Sequence, residues 1–189
     1  MLKTLGSEMK KLLIIMALIA NVSAAPKNDW YVGLGFFGGD GEQEAIDAGQ
    51  LTTTAFDTSG ADIKFGIIFK SGNRFEFSAL SMDLKASADK TTIKGRDFDW
   101  IFTPNLNNEK SIFLPFISTG FGSYTSDGID SKGVSVQAAV GGYLRLYDVL
   151  EFELSYKKKV IIWSNPGNST LEDISYEMTN VYVGAKYKF

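Results

Sequence analysis

The stretch Asn180-Val-Tyr-Val-Gly-Ala-Lys-Tyr-Lys-Phe189 alternates without a break. Val181, Val183, Ala185, Tyr187 and Phe189 share one parity, and Asn180, Tyr182, Gly184, Lys186 and Lys188 share the other. Successive side chains of a β-strand point to opposite faces, so the segment reads as a strand with one apolar and one polar face. The same period of two recurs upstream. In 29–37, Trp30, Val32, Leu34 and Phe36 oppose Tyr31, Gly33, Gly35 and Phe37, and in 62–70, Ile63, Phe65, Ile67 and Phe69 oppose Asp62, Lys64, Gly66, Ile68 and Lys70. Segments 74–79, 97–104, 113–122, 136–145 and 150–157 continue it, giving eight strands. The connections 71–73, 105–111 and 147–149 are short, while 39–60, 85–96, 123–132 and 163–173 read as long loops. Leu80-Met82-Leu84 and Tyr176-Met178 shift phase, which suggests bulges or strand ends beyond a bilayer. The expected fold is all-β: an eight-stranded antiparallel up-and-down transmembrane β-barrel, with both termini on one side.

The first 24 residues read as a signal peptide, ahead of a barrel domain over 25–189. Lys3, Lys10 and Lys11 precede the apolar run 12–20, and Val22-Ser23-Ala24 places small residues before a cleavage site after Ala24. Translation from Met9 would leave a complete signal too. Without Lys3, Lys10, Lys11 and Glu8 the net charge of −3 becomes −5, which argues against a nucleic-acid partner. The chain has no cysteine and no histidine, so Ser-His and Cys-His catalysis and His-ligated metal sites are excluded. No cofactor and no metal site is expected.

A soluble barrel would alternate as well, with its apolar face turned inward. Trp30, Trp163, Phe75, Phe113, Tyr187 and Phe189 near the strand ends favour a membrane barrel, whose aromatic girdles sit at the lipid–water boundary. The opposite face carries Gly33, Gly35, Gly66, Gly120, Gly122, Gly141 and Gly184, small residues suited to a narrow, filled lumen. Trp30, Lys158 and Trp163 are read as lipid-interface residues, with Lys158 at the outer-leaflet boundary.

Tyr182, Gly184, Tyr187 and Phe189 resemble the C-terminal insertion signal of bacterial outer-membrane proteins, although Tyr182 departs from the usual polar occupant. Trp30-Tyr-Val-Gly-Leu-Gly-Phe36 and Thr119-Gly-Phe-Gly122 resemble the first and fifth strands of the eight-stranded OmpA/OmpX/opacity-type barrels. The resemblance implies an outer-membrane location after export, contact with outer-membrane lipids and lipopolysaccharide, and insertion by the barrel assembly machinery. No enzymatic activity is expected, since the hydroxyls have no visible base partner and the chain lacks the histidine that outer-membrane acyl transfer normally uses.

The inward parity near the periplasmic end collects Lys70, Arg74, Glu76, Arg145, Glu151, Glu153, Lys186 and Lys188, expected to form a salt-bridge network across the lumen. Asp97 and Asp99 form an i, i+2 carboxylate pair, but no nucleophile accompanies them, and they read as polar lumen residues near the outer mouth. Gly33-Leu-Gly-Phe-Phe-Gly38 fits a nucleotide-binding pattern by spacing alone, since it lies within a strand and opens no helix. The long segments, one acidic (39–60) and one basic (85–96), read as solvated loops that could meet a surface ligand. The function expected is structural or surface-interaction, adhesin-like and carried by loops. A narrow porin-like channel for ions or small solutes is the alternative.

Overall fold

A computed structural model describes residues 29–189 apart from 48–49, 70, 87–88, 104–110, 128, 147 and 165–170. The proposed signal segment and Lys70 lie outside the described residues. Eight strands run in chain order: β1 (Asp29–Asp47), β2 (Gln50–Ile68), β3 (Arg74–Ala86), β4 (Asp89–Phe102), β5 (Phe113–Ser126), β6 (Ile129–Leu146), β7 (Leu150–Ser164) and β8 (Leu171–Lys188). Each pairs antiparallel with its chain neighbours, and β8 pairs with β1 to close the barrel. At the seam, the backbones of Trp30 and Phe189 exchange hydrogen bonds of 3.3 and 2.9 Å. Following paired residues round the ring from Ile63 through Ala79, Arg96, Ser123, Val134, Ile162, Ser175 and Glu44 returns to Thr53, ten residues further along β2. A shear of that size on eight strands tilts them by about 40–45° and leaves an interior that side chains fill.

The strands contain 13 to 19 residues, whereas about 9–11 suffice to cross a bilayer. The excess corrects the expected long loops. Pairing between β1 and β2 runs unbroken from Asp29 opposite Ile68 to Asp47 opposite Gln50, so 39–60 is mostly a continued hairpin. Most of 85–96 and 123–132 is likewise strand, and of 163–173 the described residues lie at the ends of β7 and β8. On the opposite side the β2–β3 turn is tight: Gly72 takes a φ of 77°, open to a residue without Cβ, and donates to the Phe69 carbonyl at 2.7 Å.

The expected phase shifts are also corrected. Pairing of β3 with both neighbours has no irregularity at Leu80, Met82 or Leu84, and that of β8 has none at Tyr176 or Met178. The side chains keep their sides; their chemistry changes. Along β3 the inward residues are Arg74, Glu76 and Ser78, then Leu80, Met82 and Leu84, all buried. The outward residues are Phe75, Phe77 and Ala79, then Ser81, Asp83 and Lys85. β8, running the other way, has Ile174, Tyr176 and Met178 inside, then Asn180, Tyr182, Lys186 and Lys188. Its exterior passes from Asp173, Ser175 and Glu177 to Val181, Val183 and Tyr187.

The barrel therefore has two storeys. Near the termini the exterior is apolar, with Phe36, Ile63, Trp100, Ile117, Leu154 and Val183 exposed, and the interior is charged beside a small apolar cluster of Ile101, Leu114, Phe116, Ala139 and Tyr143. Farther from the termini the interior is an apolar cluster that includes Phe56, Met82, Ile93, Tyr124, Ile161, Trp163 and Tyr176, and most of the exterior is polar. On β6 and β7 the apolar exterior climbs higher, to Val134 and Ile162. A continuous apolar belt around a charged interior is unsuited to water and suited to lipid, so the lower storey is the membrane-spanning part.

A closed ladder has no free edge at which to open. The folded protein is expected to migrate faster unboiled than boiled on an SDS gel, and identical mobility would contradict the closed barrel.

Candidate functional site

The lower-storey lumen is where charged side chains from six strands converge. Glu76 on β3 and Glu153 on β7 stand on opposite sides of the ring. Lys64 on β2 reaches both, at 3.0 and 3.1 Å, and Lys186 on β8 does the same at 2.5 and 3.1 Å. These four buried groups alternate in sign and span the lumen. Tyr31 donates a hydrogen bond to Glu76 at 2.8 Å, and Lys186 donates to the Tyr143 hydroxyl at 3.2 Å.

Toward the termini, Arg74 crosses from β3 to β7 and forks onto Glu151 at 2.5 and 3.2 Å. Its guanidinium lies 4.1 Å from the centre of the Tyr143 ring, a cation–π contact. Arg145 and Lys188 approach Glu151 at 3.5 and 3.7 Å. Toward the apolar storey, Lys159 pairs with Asp97 at 2.7 Å and Lys157 with Asp99 at 3.3 Å. Tyr124 donates to Asp97 at 2.5 Å, and the Gln137 amide donates to Asp99 at 2.6 Å.

The residues expected from sequence thus meet as two groups, Arg74, Arg145 and Lys188 around Glu151, and Lys186 between Glu76 and Glu153. Lys64, Lys157, Lys159 and Asp62 were missing from that expectation. Lys64 shared the polar parity of its strand, but only the shear brings it level with residues near the end of β8. Asp97 and Asp99 lie within the charged lumen beneath the apolar storey, not at an outer mouth, because the strands continue well beyond them.

Tyr182 also faces inward. Its hydroxyl donates to Asp62, and Lys64 sits 3.9 Å from its ring centre. Gly35 makes room for it, since a Cβ there would run into the Tyr182 hydroxyl. Gly184 is paired with Gly35, while Tyr187 is exposed on the outer wall and Phe189 closes the seam.

Trp30 lies on the outer wall, stacked on Phe65 with ring centres 5.2 Å apart. Lys158 points outward and pairs with Glu177 at 2.6 Å. Trp163 corrects the expected girdle: it is fully buried inside the upper storey, edge-on to Tyr176 at 5.3 Å. It lies beyond the height at which the interior turns apolar, so a strand-end tryptophan here is a core residue.

Between the storeys a cavity of about 10 Å³ remains, lined by Asp62, Leu80, Asp97 and Lys159 among others. It has room for at most a single water. The ion pairs below and the apolar cluster above leave no place for a continuous water column among the described residues.

No family model matches the chain, and no curated protein matches it. Solved structures do share its architecture. Neisserial surface protein A is 12% identical, covers 85% of this chain and 97% of its own, and has a TM-score of 0.55. Outer membrane protein OprG from Pseudomonas aeruginosa is 14% identical, with coverage of 86% and 96% and a TM-score of 0.55. Outer membrane protein AlkL, solved in DMPC bilayers, is 14% identical, with coverage of 88% and 92% and a TM-score of 0.52. The fold of this chain is that of the eight-stranded outer-membrane barrels.

Removing one partner of a buried ion pair leaves the other charge uncompensated, at about 3–5 kcal/mol. Glu153→Ala, which strips a carboxylate from both Lys64 and Lys186, is expected to lower stability by that amount in urea unfolding from lipid vesicles. A change below about 1 kcal/mol, the range of exposed pairs, would show the pairs to be hydrated.

Proposed function

We propose that the protein is an outer-membrane barrel with a structural or surface-interaction role, holding a rigid β-tower at the cell surface on a sealed membrane anchor. The observation that carries this reading is the double seal: ion pairs cross the membrane-level lumen, and a packed apolar core fills the storey above. A channel needs a wet path, and among the described residues neither storey supplies one. A surface-interaction protein needs a presented surface held in fixed geometry, and hairpins paired nearly to their tips provide it.

The tower's exterior is polar and carries both signs of charge, with Lys85 opposite Asp57 and Asp83 paired to Lys90. Asp40, Glu42, Glu44, Asp57 and Glu177 fall on β1, β2 and β8, while Lys90, Lys94, Arg96 and Lys132 fall on β4 and β6. Recognition at this surface would be electrostatic and salt-sensitive. In this reading Tyr182, Gly184, Tyr187 and Phe189 serve during insertion by the assembly machinery; in the finished barrel they fill the lumen and complete the seam.

In planar bilayers the purified protein is expected to give no steady conductance above baseline. Large, persistent conductance steps would favour the narrow-channel alternative.

A further inference from the structure

On the outer wall, from β1 across to β6, small side chains leave a groove of about 790 Å³. Its two halves differ in chemistry. Leu34, Phe36 and Ile63, all more than half exposed, line the half toward the termini. Lys94, Arg96 and Lys132 line the half toward the tower. Ala61 and Ala79 lie between them and form the dent.

The pairing leaves Lys94 and Arg96 without an acidic neighbour across either ladder. Arg96 lies opposite Ala79 and Ser123, and Lys94 opposite Ser81 and Thr125, so no ladder neighbour offers a carboxylate. Two outward lysines elsewhere on the tower and its base do find one: Lys90 pairs with Asp83 at 2.9 Å and Lys158 with Glu177 at 2.6 Å. Among the described residues, none of Lys94, Arg96 and Lys132 has a carboxylate within ion-pair distance. The three cations stand where the exterior changes from Phe98 to Arg96 on β4 and from Phe121 to Ser123 on β5, the height of lipid headgroups.

We propose that this groove binds a phosphate-bearing lipid of the leaflet it faces, with acyl chains against Leu34, Phe36 and Ile63 and phosphates on Lys94, Arg96 and Lys132. One amphiphile satisfies both halves. A soluble anion would engage only the cationic half, and a zwitterionic lipid would bring a cation to a rim that already holds three. The inference rests on the membrane reading of the lower storey.

The test uses the full barrel in phosphatidylcholine nanodiscs, titrated with diphosphorylated lipid A, with bound lipid counted by native mass spectrometry. Basic residues near an anionic lipid surface contribute about 1 kcal/mol each. The triple variant K94Q/R96Q/K132Q is therefore expected to bind lipid A about 100-fold more weakly, roughly 2.8 kcal/mol at 1.4 kcal/mol per tenfold. K90Q, outside the groove, should bind as the parent does. Equal binding by parent and triple variant, or an equal loss in K90Q, overturns the site. Displacement of the lipid by millimolar inorganic phosphate overturns the assignment to a lipid. Faster migration of every unboiled sample confirms that each variant has folded, while its absence in the parent would count against the barrel reading beneath the site.

Discussion

Continuous antiparallel pairing round a closed ring fixes which side of the wall every residue occupies. With no register break through the middle of β3 or β8, Arg74 and Met82 must both face inward, and Phe75 and Asp83 must both face outward. The chain cannot rotate a strand to suit a new solvent. Only residue type can change, and on β3 it does so on both faces at the same height. Ser78 gives way to Leu80 inside where Ala79 gives way to Ser81 outside. The lower storey is built for lipid, and the upper storey is built like a soluble barrel.

Each storey then solves a different energetic problem. Below, large charged side chains are held out of water, which is tolerable only if each meets an opposite charge and hydrogen-bonding partners. The Lys64–Glu76–Lys186–Glu153 set meets that demand with two contacts per group, and Arg74 does so through a fork onto Glu151. Above, Trp163, Met82, Ile93 and Ile161 gain from leaving water in the ordinary way, at about 25 cal/mol per Å² of apolar surface. The two solutions together close the lumen, and the proposed functional surfaces accordingly lie outside: on the tower and along the lipid boundary.

The terminal strand and its repeats made the strand count, the closed barrel and the inward polar face legible in the sequence. Arg74, Glu76, Glu151, Glu153 and Lys186 could be grouped because they lie beside turns that sequence alone could place. The storey boundary was hidden. Alternation reports that two faces differ without naming the medium each one meets, so Leu80-Met82-Leu84 resembled a phase error and Trp163 a girdle residue. The groove was hidden for another reason. Leu34, Ala61, Arg96 and Lys132 come from four strands, and only a shear of ten residues brings them together.

A nitroxide scan along the outward rows of β3 and β8 tests the exchange of polarity most directly, and the absence of native cysteine makes each introduced label unique. In nanodiscs, labels at 75, 77, 181 and 183 should be relaxed by oxygen dissolved in lipid. Labels at 83, 85, 175 and 177 should be relaxed by a water-soluble nickel chelate, with the crossover near 79–81 and 179–181. Lipid-like accessibility at 83 and 177, or water-like accessibility at 77 and 183, would contradict the two-storey account.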